Sequence, residues 1–274
     1  MENHLHNGSL DVQRKGCGAL RSVCADEENR AVLVREVGGG GIKTLVNCLR
    51  ILVDDSQVQL YGIGALSRLA NDEIGRVAIG NENGIAIVLE SLRSHVTNTD
   101  IQRVCFRALR NLSAEESNMG KLRDVSAIAR VIEAMRNNGM DGEIQLYGLE
   151  VLSRVVGVGV EGSNLIIEHG GVAVIVNAIN SFERDVGILR EGLKILSILS
   201  ASDKNTRDVI RKAGGMEAVK GVLLLHQGAD PHLERYGKET LKLLFVREKK
   251  GGSFPLLELL VPLAIVALHM IFKQ

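Results

Sequence analysis

The chain has 274 residues, 45% apolar but only 3% aromatic and without tryptophan, and its 33 basic side chains equal its 33 acidic ones. Zero formal charge removes the bulk electrostatic case for a nucleic-acid partner, which needs a clustered basic surface. Three prolines in this length favour long helical stretches over many tight strand turns.

The first nine residues lack the apolar run of a secretory signal and read as a disordered tail, 1–9. From residue 10 onwards one helical phrase recurs. Its anchor leucine falls at Leu20, Leu66, Leu109, Leu152, Leu196 and Leu241, with spacings of 46, 43, 43, 44 and 45. Around each anchor the apolar residues follow i, i+3, i+4 spacing, as Leu60, Ile63, Leu66 and Leu69 do, which is the period of an amphipathic helix. The phrase "QLYGIGALSRL" at Gln59–Leu69 returns as "QLYGLEVLSRV" at Gln145–Val155, 86 residues on, with "QRVCFRALRNL" midway. A second helix precedes each later anchor: Gly40–Arg50, Asn83–Arg93, Ser126–Arg136, Gly170–Asn180 and Gly214–Leu224. Most of these open on a Gly pair, as a steep helix–helix corner requires. Before the corner lies a short helix such as "ENRAVLVREV" or "KNTRDVIRKA".

A period of this length marks a repeat architecture, in which one unit cannot bury its own apolar face and stacking neighbours complete the core. The alternation of "GGI-x-x-LV-x-x-L" with "GALSRLA" or "RALRNLS" resembles the armadillo repeat family over residues 10–247. That resemblance implies an all-α, right-handed α-solenoid of about six three-helix repeats, with the third helices lining a concave groove that binds protein segments.

Offsets of −5, −2 and +2 from the anchor share the arc opposite the core. All three tyrosines of the chain, Tyr61, Tyr147 and Tyr236, stand at −5, each followed by Gly. They either cover the neighbouring helix or display their rings for recognition, and one role does not exclude the other. Arg68, Arg107, Arg154 and Lys194, helped by Arg103, Arg110 and Arg190, read as a basic strip suited to acidic or phosphorylated segments, against the plainer reading of an ordinary solvated face. Armadillo proteins that grip peptides often carry Trp at −2 and Asn at +2. Here only Asn111 matches, which argues against an import-receptor type of grip.

After Phe245 the pattern breaks into a charged, Gly-rich linker, 248–253, and a hydrophobic stretch, 254–272. Its length and flanking Arg247, Lys249, Lys250 and Lys273 fit a membrane tail anchor, with Leu259, Val261, Leu263, Ile265, Val266, Leu268, Ile271 and Phe272 facing lipid. The same stretch also resembles a final half repeat.

Cys17, Cys24, Cys48 and Cys105 have no metal-ligand spacing and read as small buried hydrophobes in a reducing cytosol. His95, His169 and His226 read as occupying different repeat positions, with no recurring carboxylate partner. No catalytic motif, metal site or cofactor loop is present. The expectation is a non-catalytic scaffold or adaptor for protein segments, on the cytosolic face of an organelle membrane, with no nucleic-acid or small-molecule substrate. The alternative is a regulator that clasps a small GTPase or chaperone ATPase in the manner of a nucleotide-exchange factor.

Overall fold

The structure is a computed structural model that describes residues 2–35, 40–157 and 160–245, with the backbone alone for 2–8, 35 and 125. The elements run α1 (Glu2–Val23), α2 (Glu27–Arg35), α3 (Gly40–Ile51), α4 (Ser56–Leu69), α5 (Glu73–Asn81) and α6 (Gly84–Ser94). There follow α7 (Thr99–Leu112), a 3₁₀ turn (Glu116–Asn118), α8 (Met119–Leu122), α9 (Val125–Asn137), α10 (Gly142–Gly157) and α11 (Val160–Glu168). The last are α12 (Gly171–Ser181), α13 (Val186–Ser200), α14 (Lys204–Lys212), α15 (Gly215–Leu225) and α16 (Pro231–Leu244). No strand occurs among the described residues.

The order is one leading long helix, α1, followed by five complete triplets of short, middle and long helix. The long helices α1, α4, α7, α10, α13 and α16 pack each against the next, and the middle helices α3, α6, α9, α12 and α15 form a second row behind them. This is the all-α solenoid that the period implies. Two boundaries differ from the sequence pattern. Helix α1 already begins at Glu2, within the stretch expected to be disordered, and the short helix of the third repeat shrinks to a 3₁₀ turn plus one turn of α8. The linker and hydrophobic stretch expected at 248–272 lie outside the described residues.

The repeated letters have local causes. Each long helix after the first starts on an Asx cap: Asp55, Asn98, Asp141, Asp185 and Asp230 accept from the backbone N–H three residues on, at 2.9, 3.2, 3.0, 3.0 and 3.2 Å. Such a cap contributes about 1 kcal/mol. The corner glycines work in pairs. The first position is left-handed, with φ of 61° at Asn83, 72° at Gly170 and 81° at Gly214. The second must lack a side chain, because a Cβ on Gly84, Gly171 or Gly215 would fall 2.3, 2.7 or 2.5 Å from Cγ2 of Ile79, Ile166 or Ile210. Across one such corner α11 and α12 meet at 79°.

The anchor leucines 66, 109, 152 and 196 are fully buried, whereas Leu20 and Leu241 are only partly so, since an end repeat has a neighbour on one side alone. Cys17, Cys24 and Cys105 are buried as expected, and Cys48 is half-buried. Desolvation pushes the Cys17 and Cys105 thiols up to about 12, which makes them poor nucleophiles.

Candidate partner-binding face

The six stacked long helices present one continuous face, and the side chains opposite the anchors lie on it. Tyr61, Tyr147 and Tyr236 are half-buried and pack against the core. The glycine after each tyrosine is the crossing point of long and middle helix. A Cβ on Gly62, Gly148 or Gly237 would meet Leu49, Met135 or Leu223 at 2.6, 2.5 or 2.7 Å. Both roles weighed for the tyrosines are thus compatible with their exposure. A guanidinium carbon stands over each ring, Arg21 over Tyr61 at 5.7 Å, Arg110 over Tyr147 at 5.1 Å and Arg235 over Tyr236 at 4.6 Å. The matching position in α7, Val104, is buried instead.

The basic strip is engaged within the chain. Arg14 pairs with Asp55 at 2.6 Å, Arg103 with Asp141 at 2.8 Å, Arg110 with Glu150 at 2.5 Å and Arg190 with Asp230 at 2.6 Å, while Arg107 pairs with Glu143. Every one of these bridges leaves α1, α7 or α13 for the next long helix, α4, α10 or α16. Ion pairs thus tie the long helices in three dyads, and the Tyr-Gly pair stands in the second helix of each. The hydrogen bond and the attraction of the acid raise Arg103, Arg107 and Arg190 above their ordinary values. Arg190 with two backbone N–H groups holds Asp230 down to about 2. Lys194 meets Glu191 of its own helix at 3.6 Å.

The +2 row also turns inward, towards the end of the preceding long helix. Arg154 Nη1 donates to the Arg110 carbonyl at 2.7 Å and to Ser113 Oγ at 2.6 Å. Arg68 donates to the Arg21 carbonyl, and Asn111 Nδ2 donates to the Ser67 carbonyl and to Asn71 Oδ1, both at 2.9 Å. These donors satisfy carbonyls that a helix C-terminus leaves unpaired. Burial holds the Arg154 guanidinium below its ordinary value, partly offset by Glu150. Of the strip, Arg107 is the most exposed arginine, at 45% of its side chain.

Two positions carry more than the sequence pattern suggested. The fully buried Gln59, Gln102 and Gln145 each donate through Nε2 to two carbonyls of the middle helix and its following loop, Leu49 and Leu52, Leu92 and His95, Met135 and Asn138, at 2.8–3.0 Å. Their 43-residue recurrence was the available signal. His95 and His226, expected at different places, in fact occupy the same one. Each follows the middle helix and reaches, through Nε2, a carbonyl of the preceding repeat at 2.7 Å, Val53 or Glu183.

Solved structures share this arrangement. A crystal structure of an engineered protein superposes with a TM-score of 0.68 at 21% identity, covering 85% of this chain and 90% of that one. Computationally designed armadillo repeat proteins for modular peptide recognition superpose at 0.67 and 13% identity, covering 84% and 92%. The fold is the armadillo repeat solenoid. A designed armadillo repeat protein in complex with the peptide (KR)4 aligns at 0.63 with 12% identity, over 84% of this chain and 91% of its own. No protein-family model and no curated protein matches this chain.

Proposed function

We propose that the protein is a non-catalytic scaffold that holds an extended segment of a partner protein along the face of its long helices. The observation that carries this reading is the row of half-exposed tyrosines, one per dyad, each with a guanidinium over its ring. Flat rings with a polar tip gather contact area at low entropic cost, which is why interfaces favour them. The likeness to designed armadillo repeat proteins for modular peptide recognition supports such a use of this fold. The arginines beside the rings suit an acidic or phosphorylated segment, which would exchange its own anions for those of Glu143 or Glu150.

The stretch 254–272 is proposed to tether the solenoid to the cytosolic face of an organelle membrane, on the strength of its length and flanking cations. Among the described residues no single helix is long and apolar enough to cross a bilayer.

A display library of 16-residue peptides tests the scaffold reading. The expected result is enrichment of defined segments by the wild-type chain and a tenfold or greater loss in the Tyr61→Ala, Tyr147→Ala double variant. Equal enrichment by both proteins would remove the face from consideration. Fractionating cells that express the full chain and a chain ending at residue 245 tests the tether, since both forms in the soluble fraction would refute it.

A further inference from the structure

The second dyad shows how this face holds a carboxylate. Glu150 of α10 accepts from Arg110 Nε of α7 at 2.5 Å and lies 3.9 Å from Arg154 Nη2. Tyr147 stands under the Arg110 guanidinium, and Arg154 is fixed by its bond to the Arg110 carbonyl. Four groups thus form one unit: two guanidiniums, a ring and an acid.

The first dyad repeats three of the four. Arg21 and Arg68 occupy the same offsets from Leu20 and Leu66 as Arg110 and Arg154 do from Leu109 and Leu152. Arg68 donates to the Arg21 carbonyl as Arg154 does to that of Arg110, and Arg21 lies over Tyr61. Where α10 has Glu150, α4 has Gly64. A Cβ at Gly64 would stand 3.1 Å from Arg21 Cδ, so the Arg21 side chain runs directly across this glycine. Among the described residues neither Arg21 nor Arg68 makes an ion pair, although Arg14 seven residues before Arg21 has Asp55. The third dyad keeps the acid and changes the donor, Ser197 Oγ donating to Glu239 Oε2 at 3.2 Å. An acid at this offset of the second helix is therefore received by the first helix in two dyads of three.

We propose that Arg21, Arg68 and Tyr61 form a seat for a carboxylate side chain supplied by a bound polypeptide, in the place that Glu150 fills in the second dyad. In the second dyad one guanidinium gives the carboxylate a charge-assisted hydrogen bond, about twice as strong as a neutral one, and the other adds its charge from 3.9 Å. Gly64 lets the Arg21 side chain cross α4, and Gly18 lets the Tyr61 ring lie against α1, 3.7 Å from where a Gly18 Cβ would be. This assignment rests on the scaffold reading and specifies the chemistry of its ligand at one end of the face.

The test uses segments enriched by the wild-type chain, synthesised with Glu, Gln or phosphoserine at each acidic position and followed by fluorescence anisotropy at fixed ionic strength. The expected result is at least tenfold tighter binding of one Glu peptide than of its Gln form. Gly64→Glu, which supplies an internal acid, should erase that difference. Arg21→Gln, which removes one guanidinium without disturbing any backbone bond, should also shrink the Glu-to-Gln ratio and covers the case in which Gly64→Glu fails to fold. A Glu preference that survives both substitutions overturns the seat and leaves the scaffold reading standing. Binding of the phosphoserine form without the Glu form overturns the carboxylate assignment. If no peptide is enriched at all, the scaffold reading fails, and the seat fails with it.

Discussion

Arg103 of α7 donates through Nε to Asp141 Oδ2 at 2.8 Å, while Asp141 Oδ1 caps α10 by accepting from the Ile144 N–H at 3.0 Å. One carboxylate thus starts a helix and ties it to its neighbour. Arg14–Asp55 and Arg190–Asp230 repeat the arrangement in the other two dyads. Asp141→Ala removes cap and bridge together, for an expected loss of about 1–2 kcal/mol. Arg103→Met removes only the bridge, a partly exposed pair, and is expected to cost less than Asp141→Ala. Urea unfolding of the two single variants and the double variant checks this, and equal losses from both single changes would refute the dual role.

The buried glutamines brace the middle helix against the long one. Gln145→Leu removes the side-chain donor from the Met135 and Asn138 carbonyls, which keep the backbone N–H groups of Asn138 and Asp141, so a loss of about 1 kcal/mol for each bond removed is expected. The expected outcome is a lowered thermal midpoint and faster amide exchange in the loop between α9 and α10. A midpoint within a degree of the wild type would show that water replaces the side chain at no cost.

The two corner glycines should respond unequally to the same substitution. Gly170→Asn should cost only a few tenths of a kcal/mol up to about 1 kcal/mol, because Asn tolerates the left-handed region and Asn83 already fills the equivalent place. Gly171→Asn puts a Cβ 2.7 Å from Ile166 Cγ2 and 2.8 Å from its carbonyl oxygen, so overpacking of about 1–3 kcal/mol or more is expected. Chemical denaturation of both variants decides, and a reversed order would discard the division of labour.

Acid should loosen the dyads. Arg190 and two backbone N–H groups depress Asp230 to about 2, and Arg14 likewise lowers Asp55. A carboxylate whose folded pKa lies below its unfolded value of about 3.9 contributes stability in full above that value, and the contribution is lost as pH falls towards 2. Thermal midpoints recorded from pH 6 to pH 2 should therefore fall most steeply below pH 4. Asp230→Asn should flatten that slope, and an unchanged slope would exclude this pair as a source of acid sensitivity.

The 43-residue rhythm of apolar residues determined the solenoid, the helix triplets and the identity of the outward face. Those properties depend on periodicity, and periodicity is written within each helix. It could not show how the outward side chains are used. Arg154 and Asn111 read as donors for a partner, yet their hydrogen bonds end on carbonyls of the helix before, 44 residues earlier in the chain. The equivalence of His95 and His226 and the pairing of repeats into dyads were hidden for the same reason. Each is a relation between neighbouring helices whose stagger no single helix encodes. Packing fixes that stagger, and with it which charges find an opposite charge inside the molecule and which, as Arg21 and Arg68 among the described residues, do not.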